Sequence, residues 1–268
     1  MIDHGKKNLL GVEIDAVDYE AATERFLTAA SKSVRYNTTA LAVHGVMTGV
    51  QDVAHRYRLN QFDMIVPDGM PVRWGLNLLH GTKLPDRVYG PNLMLKICEG
   101  AAHRELPIFL FGTDQNTLDL LQIRLKEQFP ELIIAGSEPS KFRKLTDTES
   151  DDLASRIRES GAKLAFVGLG CPRQEVWAYE MGGRLNMPVF AVGAAFPFHA
   201  GTLPQAPRWM QNGGLEWLYR LSSEPKRLWR RYVYLNPAYV FLLGLQFAKL
   251  KSFAPETDAP PMIRQNFG

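Results

Sequence analysis

A chain of 268 residues, 46% of them hydrophobic, carries enough apolar material for one large core or for one core plus an appendage. A net charge of +3 excludes a polycation, so local clusters of charge matter more than the total. The two cysteines, Cys98 and Cys171, lie far apart and outside any CxxC pair, which argues against a zinc ribbon or a thioredoxin-type motif and for two free thiols in a reducing compartment. The first ten residues, MIDHGKKNLL, lack the apolar stretch of a signal peptide, so a cytoplasmic location is expected. The most apolar segment, AYVFLLGL at 238–245, falls short of the ~20 residues a spanning helix needs, but suits an interface.

In chain order, short apolar runs recur at 62–67 (FDMIVP), 106–112 (LPIFLFG), 132–136 (LIIAG), 163–170 (KLAFVGLG) and 187–193 (MPVFAVG). Continuous runs of this kind suit parallel strands buried on both faces. Between them, 117–129 places Leu118, Leu121, Leu125 and Phe129 on one helical stripe, and 151–160 has the same periodicity. Alternation of strand and helix predicts an α/β core over 1–203 with a mainly parallel sheet. From 204 to 253 the chain becomes dense in Trp, Tyr, Arg and Leu and predicts a helical appendage of two or three helices, broken at 212–214, 224–225 and 236–237. Residues 254–268 are Pro-rich and polar and are expected to be disordered.

Three segments could carry chemistry. Pro67-Asp68-Gly69 directly follows a predicted strand, at the end of the sheet where α/β proteins bind ligands. A carboxylate there can take a proton from an attacking hydroxyl, although Pro-Asp-Gly is also a favoured turn. A second strand runs through Gly168 and Gly170 into Cys171-Pro172-Arg173-Gln174-Glu175. A glycine-rich turn entering a helix lets backbone N–H groups approach a diphosphate, with Gln174 and Glu175 as polar groups beside it, but glycine also simply ends strands. In the appendage, Arg227, Arg230 and Arg231 share one side of a helix, Arg220 precedes them, and Trp217, Trp229, Tyr232 and Tyr234 are interleaved. Such a surface suits diphosphate recognition, a membrane interface or a solvated helix face. Nucleic acid is disfavoured by the modest net charge and the absence of a recognition motif. The six histidines are scattered without HxxH or HExxH, and no Asp-x-Asp stands at a strand end, so no metal site is expected; His44 and His199 are read as packing residues. An NAD-type oxidoreductase on this fold would need the GxGxxG fingerprint, which is missing.

Taken together and in order, VPDG (66–69), LPDRVYGPNL (84–93), FLFG (109–112), VGLGCPRQE (167–175), AVGAAFPFHAGTLPQAPRWMQ (191–211) and GLEWLYRLSSEPKRLWRRY (214–232) resemble the WecG/TagA/CpsF family of bacterial glycosyltransferases over about residues 9–245. The resemblance implies a Rossmann-like core with a membrane-directed helical C-terminal appendage. It implies inverting, metal-independent transfer from a UDP-sugar, with UDP-glucose and UDP-N-acetylmannosamine among the donors, onto a sugar linked to undecaprenyl diphosphate. No cofactor is implied. The enzyme would work peripherally at the inner face of the cell membrane, and a homo-oligomer is left open. By resemblance Asp68 is the base, Thr39 and Gln174 line the sugar pocket, and Arg87 and Asn92 lie in the active-site segment. Gly112, Gly168, Gly170 and Glu175 fall in matching motifs, and Arg220, Arg227 and Arg230 reach the site to hold diphosphate. Three positions depart from the family pattern: the asparagine usual just after the threonine near position 39 is missing, an aspartate of the YGPNL segment is Asn92, and an acidic residue after Phe196 is Pro197. These departures bear on the donor sugar. The alternative to an enzyme is a non-catalytic nucleotide-sugar-binding protein at the membrane.

Overall fold

The computed structural model of the protein describes residues 1–254, 260–261 and 264–268, apart from the side chains of Asn212, Arg227, Arg230 and Arg231. The chain opens with an antiparallel hairpin, β1 (Asp3–Leu9) and β2 (Val12–Val17), turned by Leu10 and Gly11, both at positive φ. Six further strands follow: β3 (Tyr36–Leu41), β4 (Met64–Pro67), β5 (Ile108–Gly112), β6 (Ile134–Glu138), β7 (Leu164–Gly168) and β8 (Pro188–Ala191). They form one parallel sheet in the order β4-β3-β8-β7-β5-β6. The expected Rossmann-like α/β architecture is thus present.

Because side chains alternate along a strand, a sheet covered on both sides needs apolar residues at successive positions. Leu41, Ile65, Phe109, Phe111, Ala165, Val167, Val189 and Ala191 belong to one core, and Met64, Val66, Ile108, Leu110, Leu164, Phe166, Phe190 and Val192 to the other. The first core is closed by α2 (Val43–Gln51), α3 (Val53–Asn60), α4 (Met70–His80), α7 (Asp147–Glu159) and α8 (Arg173–Leu185). The second is closed by α1 (Tyr19–Ser31), α5 (Gly90–His103), α6 (Gln115–Gln128) and α9 (Ala195–Ala200). Local signals fix several helix starts: Asp18 caps α1, Asp114 caps α6, and Thr146 with Glu149 forms a capping box on α7.

Strand β3, between β4 and β8, is the one strand of the parallel sheet that the hydrophobic pattern does not reveal. Its Asn37, Thr38 and Thr39 are fully buried but polar, and Asn37 Nδ2 donates to the Ala178 carbonyl at 3.0 Å. Among the described residues neither Cys98 nor Cys171 is in a disulfide.

The appendage comprises α10 (Arg208–Asn212), α11 (Glu216–Ser223), α12 (Pro225–Arg230), a π-helical turn (Arg231–Leu235) and α13 (Asn236–Phe247). The chain does not break at 236–237. Pro237 sits in the first turn of α13, where its missing N–H costs no helical hydrogen bond, and the π turn passes directly into the helix. α13 packs on the core through buried Tyr239 and partly buried Ala238, Leu242 and Leu243. Its other side exposes Val240, Phe241 and Phe247. Of the tail from 254 onward, 255–259, 262 and 263 lie outside the described residues. Residues 264–268 return to the core: the Gln265 and Asn266 N–H groups donate to the Glu180 carboxylate at 2.8 and 2.9 Å, Leu145 N–H donates to the Asn266 carbonyl at 2.7 Å, and Phe267 bridges Lys144.

Tyr239 Oη donates to the Pro71 carbonyl at 2.9 Å and ties α13 to the start of α4. Tyr239→Phe keeps the packing and loses that bond, so urea denaturation is expected to show a loss of about 1 kcal/mol with the fold intact. An unchanged midpoint would mean the contact contributes nothing.

Candidate active site

The carboxyl ends of the sheet strands converge on one cleft. Residues 40–42 at the end of β3, Asp68 after β4, Thr113 after β5, 168–170 at the end of β7 and 192–194 after β8 line it. The sheet brings them together because β5 and β7 neighbour each other while their following strands lie in opposite directions, the arrangement that opens a crevice in α/β sheets. Gly112 makes the close approach possible: at φ 112°, it stands so near β7 that a side-chain carbon there would sit 2.8 Å from the Gly168 backbone. Gly168 and Gly170 line the cleft, whereas Gly112 lies buried behind it.

Asp68 is held from three sides. Its N–H donates to the Leu41 carbonyl at 3.1 Å, extending the β3–β4 ladder by one residue. Its Oδ1 accepts the Gly90 N–H at 2.6 Å, and its carbonyl accepts Arg87 Nη1 at 3.2 Å. Gly90 has to be glycine for that first bond, since a side-chain carbon would lie 2.9 Å from Ala40 Cβ. Gly69 then starts α4 with Pro71 in its first turn. Pro-Asp-Gly is therefore a strand-to-helix turn, and the same turn points a carboxylate into the cleft.

Burial pushes the Asp68 carboxyl up to about 6; the Arg87 guanidinium opposes this, the Glu216 carboxylate reinforces it, and the Gly90 N–H and Arg220 oppose it more weakly. Arg87 itself is paired across the molecule, with Nη2 donating to Glu216 Oε2 at 2.6 Å, and its guanidinium lies 4.3 Å from the Tyr89 ring centre. Tyr89 Oη donates to Glu216 Oε1 at 3.1 Å.

Behind the glycine turn, Glu175 is fully buried. Its Oε1 accepts Thr39 Oγ1 at 3.0 Å and Gln174 Nε2 at 2.8 Å, while Gln174 Oε1 accepts the Gly170 N–H at 3.1 Å. Burial raises the Glu175 carboxyl, and the bonds from Gln174 and Thr39 work against that rise. Of this group Gln174 and Gly170 line the cleft; Thr39 and Glu175 sit one layer below and hold them.

A second cavity opens beneath the appendage, lined by Val43, Met70, Pro71, Trp217, Tyr232 and Leu235 on its apolar side and by Arg87, Glu216, Arg220 and Asn236 on its polar side. Ala42, His44, Asp68 and Arg220 belong to both cavities. Asp68 thus stands where a polar cleft and a partly apolar one meet.

Of the residues singled out in the sequence, Asp68, Arg87, Gly168, Gly170, Gln174 and Arg220 are brought together around this junction. Asn92 is exposed, outside both linings, beside the Tyr19 hydroxyl. Arg227 and Arg230 lie on α12, but their side chains are outside the described residues. Pro197 lines the large cleft. Sequence reasoning overlooks Glu216, Tyr89, Gly90 and the place of His44 in both linings. Glu216 stands four residues before Arg220, a spacing that signals a shared helix face but not a partner in the core.

Carboxyl-carbon NMR of Asp68 is expected to give a midpoint near about 6. In Arg87→Ala the midpoint moves further up, because burial and the Glu216 charge then act with less opposition. A midpoint in the ordinary carboxylate range in either protein would contradict this electrostatic picture.

Comparison with known proteins agrees with the geometry. Over 192 residues, 71% of this chain and 72% of the relative, the sequence is 28% identical to the N-acetylglucosaminyldiphosphoundecaprenol N-acetyl-beta-D-mannosaminyltransferase of Bacillus spizizenii. The description of the Glycosyl transferase WecG/TagA/CpsF family matches residues 7–252. With nearly the whole core and appendage inside that match, the chain belongs to the WecG/TagA/CpsF family of glycosyltransferases.

Proposed function

We propose that this glycosyltransferase moves a hexose or N-acetylhexosamine from a UDP-sugar onto a sugar linked to undecaprenyl diphosphate, in cell-surface polysaccharide synthesis at the inner face of the membrane. The observation that carries the reading is the position of Asp68 at the meeting point of two cavities. The large polar cleft, with its glycine turn and Gln174, suits a nucleotide-sugar. The cavity beneath the appendage, apolar on one side and flanked by Arg87 and Arg220 on the other, suits a lipid carrying a diphosphate. The relative's name supports the same acceptor class.

The chemistry is a single displacement. The acceptor hydroxyl oxygen forms a bond to the anomeric carbon from the face opposite UDP. The bond from that carbon to the β-phosphate oxygen breaks, and the hydroxyl proton passes to Asp68. A carboxyl near about 6 is mostly ionised at neutral pH yet more basic than an ordinary aspartate, as a general base should be. The N–H groups of the glycine turn balance charge on the departing diphosphate, so no divalent cation is required. Among the described residues no cluster of three or more potential ligating side chains could hold one.

No described helix is long and apolar enough to cross a membrane. Trp229, Val233, Tyr234, Val240, Phe241, Phe247 and Leu250 are instead exposed along the appendage, beside the basic residues of α12, and this surface suits docking on an anionic bilayer. The donor is UDP-glucose or UDP-N-acetylmannosamine; of the departures from the family pattern, Ala40 and Pro197 line the large cleft where the donor would be read, and Asn92 lies outside it.

Release of UDP from a panel of UDP-sugars, with and without a lipid-diphosphate-sugar acceptor, tests the reading. Acceptor-dependent release from one of the two donors is expected, and release indifferent to acceptor would sink it. Asp68→Asn should fold and lose activity by ~10²–10⁴-fold. Since protonation silences the base, kcat/KM should rise with pH through about 6 in the wild type. EDTA should leave the rate unchanged. Phe241→Glu should weaken liposome co-sedimentation without changing transfer to a short-chain soluble acceptor; equal binding by the variant would remove α13 from the docking surface.

A further inference from the structure

The Arg87–Glu216 pair joins two parts of the chain 129 residues apart, the core segment leading to α5 and the appendage helix α11. It is nearly closed off from water, with the two side chains 9% and 12% exposed. Both partners make further bonds: Glu216 accepts Arg87 at one oxygen and Tyr89 Oη at the other, and Arg87 donates from its second terminal nitrogen to the Asp68 carbonyl. An unbroken chain of hydrogen bonds therefore runs from the backbone of the proposed base to the first residue of α11. Arg220, one helical turn further on, lines both cavities beside Asp68.

We propose that Glu216 is a positioning residue for the transfer reaction: it latches α11 to Arg87 and Tyr89, and so sets Arg220 and the wall of the acceptor cavity over Asp68. The physical reason is the shape of the appendage. α11 buries no residue of its own, and Leu215, Trp217 and Leu218 remain partly open to solvent, so apolar packing alone holds this helix weakly. A desolvated, hydrogen-bonded ion pair supplies orientation where packing does not. Removing one member leaves a nearly buried charge without its partner, which favours a different placement of the helix. The polar cleft is lined by core residues except for Arg220, so the latch bears on acceptor rather than donor.

The assignment of that cavity to the acceptor rests on the proposed function, and the test separates the two. The full chain is compared with Glu216→Ala, Glu216→Gln and Glu216→Asp. Acceptor KM, donor KM and UDP affinity are measured, with amide exchange over 215–223. Glu216→Ala is expected to raise acceptor KM about tenfold or more, with donor KM and UDP affinity within about twofold of wild type. Glu216→Gln, which keeps acceptor oxygen geometry toward Arg87, should recover part of the loss, and exchange in α11 should quicken in Glu216→Ala while β7 and β8 stay protected. An unchanged or lowered acceptor KM would overturn the proposal, as would an equal loss of donor and acceptor affinity. If the wild type fails to use a lipid-diphosphate acceptor, the proposed function falls. The latch is then judged by amide exchange alone, where α11 protection unaffected by Glu216→Ala overturns it.

Discussion

A carboxylate withdrawn from water sets the terms for the rest of this molecule. Placing Asp68 at the end of β4, under Gly90 and beside Arg87, raises the free energy of its ionised form. The protein offsets part of that cost with the Arg87 guanidinium, one N–H bond and, more weakly, Arg220, and Glu216 works in the opposite sense. The carboxyl is thus balanced between a well-solvated aspartate, too weak a base, and an isolated buried one, which would stay protonated. The groups in that balance come from three places, so the turn after β4, the entry to α5 and the start of α11 have to be in place together.

The parallel sheet supplies the rigidity for this. Two cores, one on each face, fix the strands, and the strand ends deliver five loops to one rim. Behind that rim lies a polar layer, with Thr39, Gln174 and Glu175 bonded to one another below the glycine turn. Glu175 is buried in the manner of a core residue and bonded in the manner of a site residue. Its work is to fix Gln174, whose carbonyl oxygen then fixes the Gly170 N–H.

Much of this was legible in the residues, and the exceptions have physical causes. Strands β4, β5, β7 and β8 announce themselves because burial on both faces demands uninterrupted apolar runs, and the half-buried edge strand β6 is signalled by the apolar run that leads into it. β3 does not, because its Asn37, Thr38 and Thr39 are buried by hydrogen bonding rather than by hydrophobicity. The β1–β2 hairpin turns through a leucine at positive φ where Asn-Gly would have been the recognisable signal. Asp68 was a candidate because a strand end is where a carboxylate can meet a ligand, but its turn sequence read equally as punctuation and the resemblance to a family made it the expected base. Arg87 came only through resemblance to a family, and Glu216 not at all, since its meaning depends on a partner that only the folded chain brings near.

The return of residues 264–268 to Glu180 and Lys144 changes the mechanical character of the appendage. A segment joined to the core at its first residue alone is an arm; one moored at both ends is a strap. The strap's ends are held near the same rim, since Phe267 lies across a small cavity from Gly168 and Leu169 of the glycine turn. Closing such a loop removes most of the positions an arm could visit, and the loss grows only slowly with loop length. Helices 208–247 therefore stay near the rim even when their own contacts let go, and recapture becomes an encounter at high effective concentration rather than a search through solution.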